Sequence, residues 1–163
     1  MSFITGIFKR FYWQNFKPDE RGVACLVECD GHILLIRHRY GKRDIWTVPT
    51  GHKQQFEKSK RAIVREMWHR LRIDVRSAFE VNTILIDNDD PENSIHCFIV
   101  HSDDMEMDVD RDLITEAKWF DLEQIPSKLT LVAKVLIQKL KFETMYQFCD
   151  DDPTNPVCQI EPV

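Results

Sequence analysis

The feature that most constrains the fold of this 163-residue chain is a pair of apolar runs joined by a tight turn. Residues 22–29 read GVACLVEC, the dipeptide Asp30-Gly31 follows, and residues 32–39 read HILLIRHR. Asp-Gly between two β-rich runs is a strong signal for a hairpin, because both central residues of such a turn take a positive φ. The pattern predicts two antiparallel strands and therefore a fold that contains a sheet.

The rest of the chain alternates between helical and extended patterns. A helical pattern runs from about residue 57 to 71, and strand-like segments follow at 79–86, 94–102 and 115–122. A second amphipathic helix is expected after Pro126. This order predicts an α+β sandwich with a mixed or antiparallel sheet. The inward-facing candidates of the first helix are Ala62, Ile63, Met67 and Leu71.

The bulk composition is that of an ordinary globular domain, with 43% hydrophobic and 30% charged residues. A net charge of −5 argues against a general nucleic-acid binder. The five cysteines form no CxxC pair and no zinc-like spacing, and their odd number favours a reducing, cytoplasmic location. No apolar stretch approaches the roughly 20 residues that cross a bilayer.

The two ends of the chain are expected to lie outside the main domain, which we place at residues 19–148. Residues 1–18 predict an amphipathic helix, since Ile4, Ile7 and Phe11 fall at helical spacing. Such a helix can cover its own domain, form the seam of a homodimer, or contact a membrane surface through residues 3–16. Residues 149–163 are acidic and contain proline, so we expect a flexible tail.

The segment from Gly51 to Ile73 holds the residues with the clearest chemistry. On a helix, Glu66 shares one face with positions 69 and 70, which are three and four residues further on. Several carboxylates on one helical face supply the oxygen ligands that hard divalent cations require. Glu57 is suited to the positive end of the helix dipole.

This segment resembles the Nudix signature, G-x5-E-x7-R-E-U-x-E-E-x-G-U, where U is aliphatic. The stretch WTVPTG (46–51) resembles the W-x-x-P-G-G that precedes the signature, and EAKWFDLEQIP (116–126) resembles a late strand and turn of the superfamily. The resemblance covers roughly residues 20–142 and implies a Nudix-like α/β/α sandwich with a mixed β-sheet, here with an extra N-terminal amphipathic helix. The matching residues are Gly51, Glu57, Arg65, Glu66, Met67 and Ile73.

The resemblance implies a pyrophosphohydrolase that cleaves a nucleoside diphosphate linked to another moiety and uses Mg²⁺ or Mn²⁺. Its catalytic residues would be Glu66, Glu57 and Arg65, although Arg65 alternatively only orients the neighbouring glutamate. The expected metal ligands are Glu66, Glu57 and the backbone carbonyl of Gly51, with His69 as a further candidate for Mn²⁺.

Three positions depart from the signature, and two of them are expected metal ligands. His69 and Arg70 replace the usual pair of glutamates, and Arg72 replaces a glycine at the helix end. Arg70 cannot ligate a metal, and its spacing favours an ion pair with Glu66. Arg72 would have to adopt a left-handed conformation at a cost of about 1 kcal/mol. The usual metal centre is therefore expected to be damaged, with Glu106 and Glu116 as candidate replacement ligands or simple surface charges.

Two hypotheses follow. The first is a Nudix hydrolase that is slow or altered because of His69 and Arg70. The second is a catalytically inactive Nudix-fold module that binds a nucleotide or another phosphorylated small molecule without metal, through Arg70, Lys53 and Arg61. Residues 52–76 hold eight basic and three acidic residues, a local net charge of +5 that suits phosphate. A solvated basic helix face is the simpler alternative.

Overall fold

The computed structural model describes residues 22–40, 44–85 and 94–151. The predicted N-terminal helix at residues 1–18 lies outside the described residues. The described elements are the strands β1 (Gly22–Cys29), β2 (His32–His38), β3 (Thr50–His52), β4 (Ser77–Leu85), β5 (Ser94–His101) and β6 (Ile114–Asp121), and the helices α1 (Ser59–Leu71) and α2 (Leu131–Asp151).

The predicted hairpin forms from β1 and β2. Val27 pairs with Leu34 and Cys29 pairs with His32, so the turn contains only Asp30 and Gly31. Their φ angles are 46° and 75°, the left-handed values that a tight two-residue hairpin turn needs. Aspartate and glycine tolerate this region better than bulky residues do. The local sequence signal and the observed turn therefore agree.

The strands form one mixed sheet in the order β4-β5-β1-β2-β6, and β3 pairs with β1 beside this path. β1 and β5 are parallel, whereas the other pairs are antiparallel. β1 lies at the centre and is buried on both faces, because every residue from Val23 to Val27 is 0% exposed. This explains its continuous apolar sequence. The α+β class and the mixed sheet are confirmed.

Each face of the sheet is covered by one helix. Ala24 and Leu26 of β1 pack in the core under α2, whereas Val23, Cys25 and Val27 pack in the core under α1. This alternation is the period-2 pattern of a strand whose two faces are both buried. The four residues predicted to face inward from α1 are all buried, as is Trp46.

The second helix is longer than the sequence indicated. α2 begins at Leu131 and continues through Asp151, three residues into the segment assigned to the tail. Residues 152–163 lie outside the described part of the chain. Within the described ranges, no helix is both long and apolar enough to cross a membrane.

Candidate functional site

The candidate site begins where β3 passes under α1. β3 pairs with β1 through Val23 and Gly51, which holds Gly51 against the central strand. A Cβ atom at position 51 would lie 2.3 Å from Cγ of Glu66 and 2.7 Å from its Cδ. Only glycine lets the Glu66 side chain approach this closely. The first residue of the signature is therefore explained by the packing of Glu66 over the strand.

Glu66 is a buried carboxylate, with a side chain that is 4% exposed. A buried charge is tolerated when it is paired and hydrogen-bonded. Arg65 donates from Nη1 to Oε1 of Glu66 at 2.5 Å, and Arg70 donates from Nε to Oε2. Both carboxylate oxygens thus accept guanidinium hydrogen bonds. The ion pair between Glu66 and Arg70 that the i, i+4 spacing predicted is present.

Arg65 joins three parts of the site. Its Nε donates to Oε1 of Glu57 at 2.9 Å, and its Nη2 donates to Oε2 of Glu57 and to the backbone carbonyl of His52, both at 2.8 Å. The bidentate pair is the strong form of an Arg–carboxylate contact. It is the first cause of a lowered pKa for Glu57, which falls to about 2. All three guanidinium nitrogens are used, as an orienting role for Arg65 requires.

Glu57 closes the loop before α1. The backbone N–H of Gln54 donates to Oε2 of Glu57 at 2.9 Å, and the N–H of Glu57 donates to the carbonyl of Gln54 at 3.0 Å. The helix itself begins at Ser59, with Lys58 as its N-cap and no capping hydrogen bond from a side chain. Glu57 therefore lies just outside the helix, and its two oxygens face Arg65 and the loop backbone.

The last turn of α1 is held by a neighbouring loop. The backbone N–H groups of Asp108 and Asp110 donate to the carbonyls of Leu71 and Arg70, at 2.9 and 2.8 Å. These bonds satisfy carbonyls that a helix end leaves without intrahelical partners. Arg72 adopts the left-handed conformation, with φ 56° and ψ 26°, as predicted from its place at the glycine position. This end of the helix keeps its geometry despite the changed residue.

His38, at the end of β2, lies close enough to Arg70 for the arginine's charge to act on it. Burial is the main cause that lowers the pKa of His38 to about 4, and the positive charge of Arg70 adds to it. A hydrogen bond with the backbone of Leu113 raises this pKa and only partly offsets those effects. His38 is therefore a neutral imidazole at neutral pH. Sequence reasoning missed it; its place at the end of an apolar strand was the available signal.

The other predicted site residues differ in exposure and in partners. Lys53 is half-buried, and His69 is exposed on α1. Arg61 is exposed, and its positive charge is one of the smaller causes that lower the pKa of Glu57. Glu116 on β6 is ion-paired with Arg37 at 3.0 Å. Glu106 is exposed, and its backbone N–H donates to Oδ1 of Asp104.

The donor set of this site does not fit a divalent cation. Across residues 22–40, 44–85 and 94–151, no group of three or more His, Cys, Asp or Glu side chains lies together as metal ligands. The four oxygens of Glu57 and Glu66 already accept bonds from guanidinium groups. Mg²⁺ at a phosphate site is held by one or two carboxylates with waters and substrate phosphates, and both candidate carboxylates here are paired with guanidinium groups, so no reaction step through a metal follows from this arrangement. The ligand roles of Glu66, Glu57, Gly51 and His69 stay predictions.

Comparison with known proteins identifies the fold. The chain is 22% identical to the MutT NUDIX hydrolase from Burkholderia pseudomallei, with 75% of this chain and 98% of that one covered and a TM-score of 0.61. It is 15% identical to the NUDIX domain of Shewanella oneidensis NrtR complexed with ADP ribose, with 83% and 98% covered and a TM-score of 0.63.

A third structure is a bifunctional NMN adenylyltransferase/ADP ribose pyrophosphatase from Francisella tularensis, complexed with AMP and a Mn ion. It is 19% identical, with 86% of this chain and 46% of that chain covered and a TM-score of 0.59. At these identities the likeness shows the fold. No curated protein matches the sequence. The sequence model of the NUDIX domain, however, matches residues 18–140, well over half of the chain. The chain therefore belongs to the Nudix hydrolase superfamily.

Proposed function

We propose that this Nudix domain binds a nucleoside diphosphate derivative beside α1 and does so without a divalent metal. One observation carries the proposal: Arg65 and Arg70 hold both carboxylate oxygens of Glu66, the one glutamate of the metal-binding helix face that this sequence keeps. A carboxylate whose charge two guanidinium groups already neutralise offers a divalent cation little electrostatic attraction. The basic surroundings, by contrast, suit phosphate directly.

The class of ligand is supported by the solved relatives. The NrtR domain was crystallised with ADP ribose, and the Francisella tularensis enzyme with AMP. Both ligands combine a nucleoside with phosphate groups. The local net charge of +5 across residues 52–76 adds an electrostatic attraction for such an anion within a chain whose net charge is −5.

Rapid hydrolysis is not the function that this geometry favours. Attack on a diphosphate requires cations to neutralise the phosphate oxygens and to lower the pKa of the attacking water. Position 69 is an exposed histidine and position 70 is a guanidinium, so neither supplies a carboxylate. The proposed function is therefore recognition of the ligand and not its turnover.

A second candidate is slow pyrophosphate hydrolysis with Mg²⁺ or Mn²⁺. Two observations favour it: Gly51 still makes room for Glu66, and Arg65 still links Glu66 to Glu57. For this reaction the cation would have to bind Glu66 against the positive charges of Arg65 and Arg70. Glu66 would then be the essential acidic residue.

Two measurements on the same samples distinguish the two candidate functions. Calorimetry would measure the binding of ADP-ribose, ADP and AMP in EDTA and again in Mn²⁺, and chromatography of the same mixtures would detect cleavage. We expect binding in EDTA and no cleavage. Turnover in Mn²⁺ that disappears in the Glu66→Gln variant would establish the hydrolase instead. Absence of both binding and cleavage in folded protein would refute both candidates.

The cellular setting proposed with this function is the cytoplasm. The described cysteines Cys25, Cys29 and Cys97 are buried free thiols, as a reducing compartment allows. Burial raises the pKa of Cys97 to about 12, so this thiol is protonated and unreactive. A homodimer and a membrane contact through residues 3–16 stay predictions.

A further inference from the structure

We infer that the guanidinium of Arg70 takes the place of the divalent cation: it neutralises Glu66 through Nε and holds a phosphate of the ligand through its two terminal nitrogens. This inference rests on the proposed function and names the group that performs it. It also explains the mismatch between the superfamily and the donor set, because a protein cation fixed in the site makes a bound metal unnecessary for holding phosphate.

The two arginines beside Glu66 differ in how many nitrogens they have left. Arg65 uses Nε, Nη1 and Nη2 in hydrogen bonds to Glu57, Glu66 and the carbonyl of His52. Arg70 donates to Glu66 from Nε, and no acceptor among the described residues bonds its Nη1 or Nη2. A guanidinium carries five N–H donors, four of which belong to the terminal nitrogens. Arg70 thus retains the pair of donors that matches two oxygens of one phosphate.

Arg70 is also fixed and partly exposed at the same time. Its Nε is tied to a buried carboxylate, and its backbone carbonyl accepts the N–H of Asp110 at 2.8 Å. Its side chain is 18% exposed, so it is not sealed from solvent. A donor that is already oriented loses less conformational entropy on binding. Glu66 therefore acts as a positioning residue, which holds Arg70 in place.

The charge balance around Glu66 depends on Arg70. Glu57 and Glu66 carry two negative charges, which Arg65 and Arg70 balance. His38 beside Arg70 is neutral at neutral pH, because burial and the arginine lower its pKa to about 4. The attraction for an anion at this point thus depends on Arg70 and on the basic residues around it. Replacing Arg70 with a neutral residue leaves Glu66 with only Arg65 and makes the site repel phosphate.

The test measures the dissociation constant for ADP-ribose by calorimetry, in EDTA and in Mg²⁺, for the wild type and three variants. We expect equal affinity in both buffers for the wild type and at least a tenfold loss of affinity for Arg70→Gln. The loss should be smaller for Arg70→Lys, which keeps the charge but not the paired N–H donors of the guanidinium. The control is Lys128→Gln, which removes an equal charge from an exposed pair with Asp44, outside residues 52–76, and should change affinity less than twofold.

The outcomes separate the inference from the proposed function. Unchanged affinity in Arg70→Gln, with binding still present in EDTA, would overturn the role of Arg70 and leave metal-free binding intact. Binding that requires Mg²⁺ would overturn the inference and favour the hydrolase. No binding by folded wild type in either buffer would refute the proposed function and the inference together. Thermal unfolding of each variant verifies that it is folded.

Discussion

The two ends of helix α1 follow the Nudix signature to different degrees. At the N-terminal side, Gly51, Glu57, Arg65 and Glu66 keep the residues of the signature and lie in one hydrogen-bonded cluster. In the last turn, the acidic pair is absent, and Arg70 bonds to Glu66 instead. Both ends use the same contact, a guanidinium against a carboxylate. At the first end this contact fastens a loop to the helix. At the second end it involves Arg70, at a position where the signature has a glutamate.

This difference shows that the signature contains two separable sets of residues. Arg65 ties the loop, the end of β3 and the helix together, and this set maintains the fold around the site. Arg70 bonds to Glu66 and His69 is exposed, so neither residue links the loop to the helix. Their chemistry can therefore change while the architecture persists. Membership in the superfamily does not fix the metal chemistry of this site.

The largest change in stability is expected when the cluster at the N-terminal side of α1 is broken. Arg65→Met leaves Glu57 without its bidentate partner and the buried Glu66 with one partner, so we expect the free energy of unfolding to fall by about 3–5 kcal/mol. Urea unfolding measures it. The matched control is Arg76→Met, which breaks a pair whose side chains are 73% and 61% exposed and should cost under about 1 kcal/mol. Equal losses would contradict a structural role specific to Arg65.

A smaller effect is expected from the close approach of Glu66 to β3. Gly51→Ala places a methyl group where Cγ of Glu66 lies 2.3 Å away, and we expect a loss of about 1–3 kcal/mol. In a Glu66→Ala background the added methyl has space, so the same substitution should cost much less. A double-mutant cycle of urea unfolding tests this coupling. Additive losses would show that Gly51 has another role.

The pH dependence of stability should come in part from His38, at the C-terminal end of the site. Its pKa is lowered to about 4 from 6.5, so the unfolded chain binds a proton that the folded protein does not. The contribution of His38 to the free energy of unfolding is fully present above pH 6.5. It falls as the pH drops toward 4, by at most about 1.4 kcal/mol per pH unit. Urea unfolding at pH 7.5 and 5.5 measures the loss.

In His38→Gln this part of the pH dependence should disappear. The control is His69→Gln, an exposed position on α1, which should leave the loss in place. If the two variants respond equally to pH, the environment of His38 is not the one described.

The smallest effect is expected at the helix end. Arg72 has a φ of 56°, where glycine is unstrained, so Arg72→Gly should stabilise the protein by about 1 kcal/mol. Arg72→Ala keeps the strain and should bring no gain. Thermal unfolding of both variants measures the difference. A loss in Arg72→Gly would mean that the contact of its guanidinium with the ring of Trp68, at 5.6 Å, outweighs the strain.

The sequence predicted those features that depend on residues near one another in the chain. The hairpin followed from Asp30-Gly31, the burial of α1 from its apolar spacing, and the pair of Glu66 with Arg70 from their separation of four. Each of these is set by local geometry. The signature also predicted the candidate site, and the structure places Gly51 and Glu66 against each other.

Features that depend on contacts between distant segments could not be predicted from the sequence. The parallel pairing of β1 with β5 joins segments about 70 residues apart, and no local signal specifies it. The fold also brings His38, at the end of β2, within range of the charge of Arg70 near the end of α1. The bonds that Arg65 makes to Glu57 and His52 also depend on how the loop folds back. Sequence spacing could not decide between metal binding and this internal pairing for Glu57.

The central claim is that Arg70 takes the place of the divalent cation. The measurement that tests it most directly is a Mn²⁺ titration in which electron paramagnetic resonance detects the free Mn²⁺. It compares the wild type with a His69→Glu/Arg70→Glu double variant, which restores two carboxylates to the face of Glu66. If Arg70 stands in the cation's place, the wild type binds no Mn²⁺ at the site and the double variant binds it. Mn²⁺ binding by the wild type that is lost in Glu66→Gln would contradict the account, because Glu66 would then serve a metal despite Arg70.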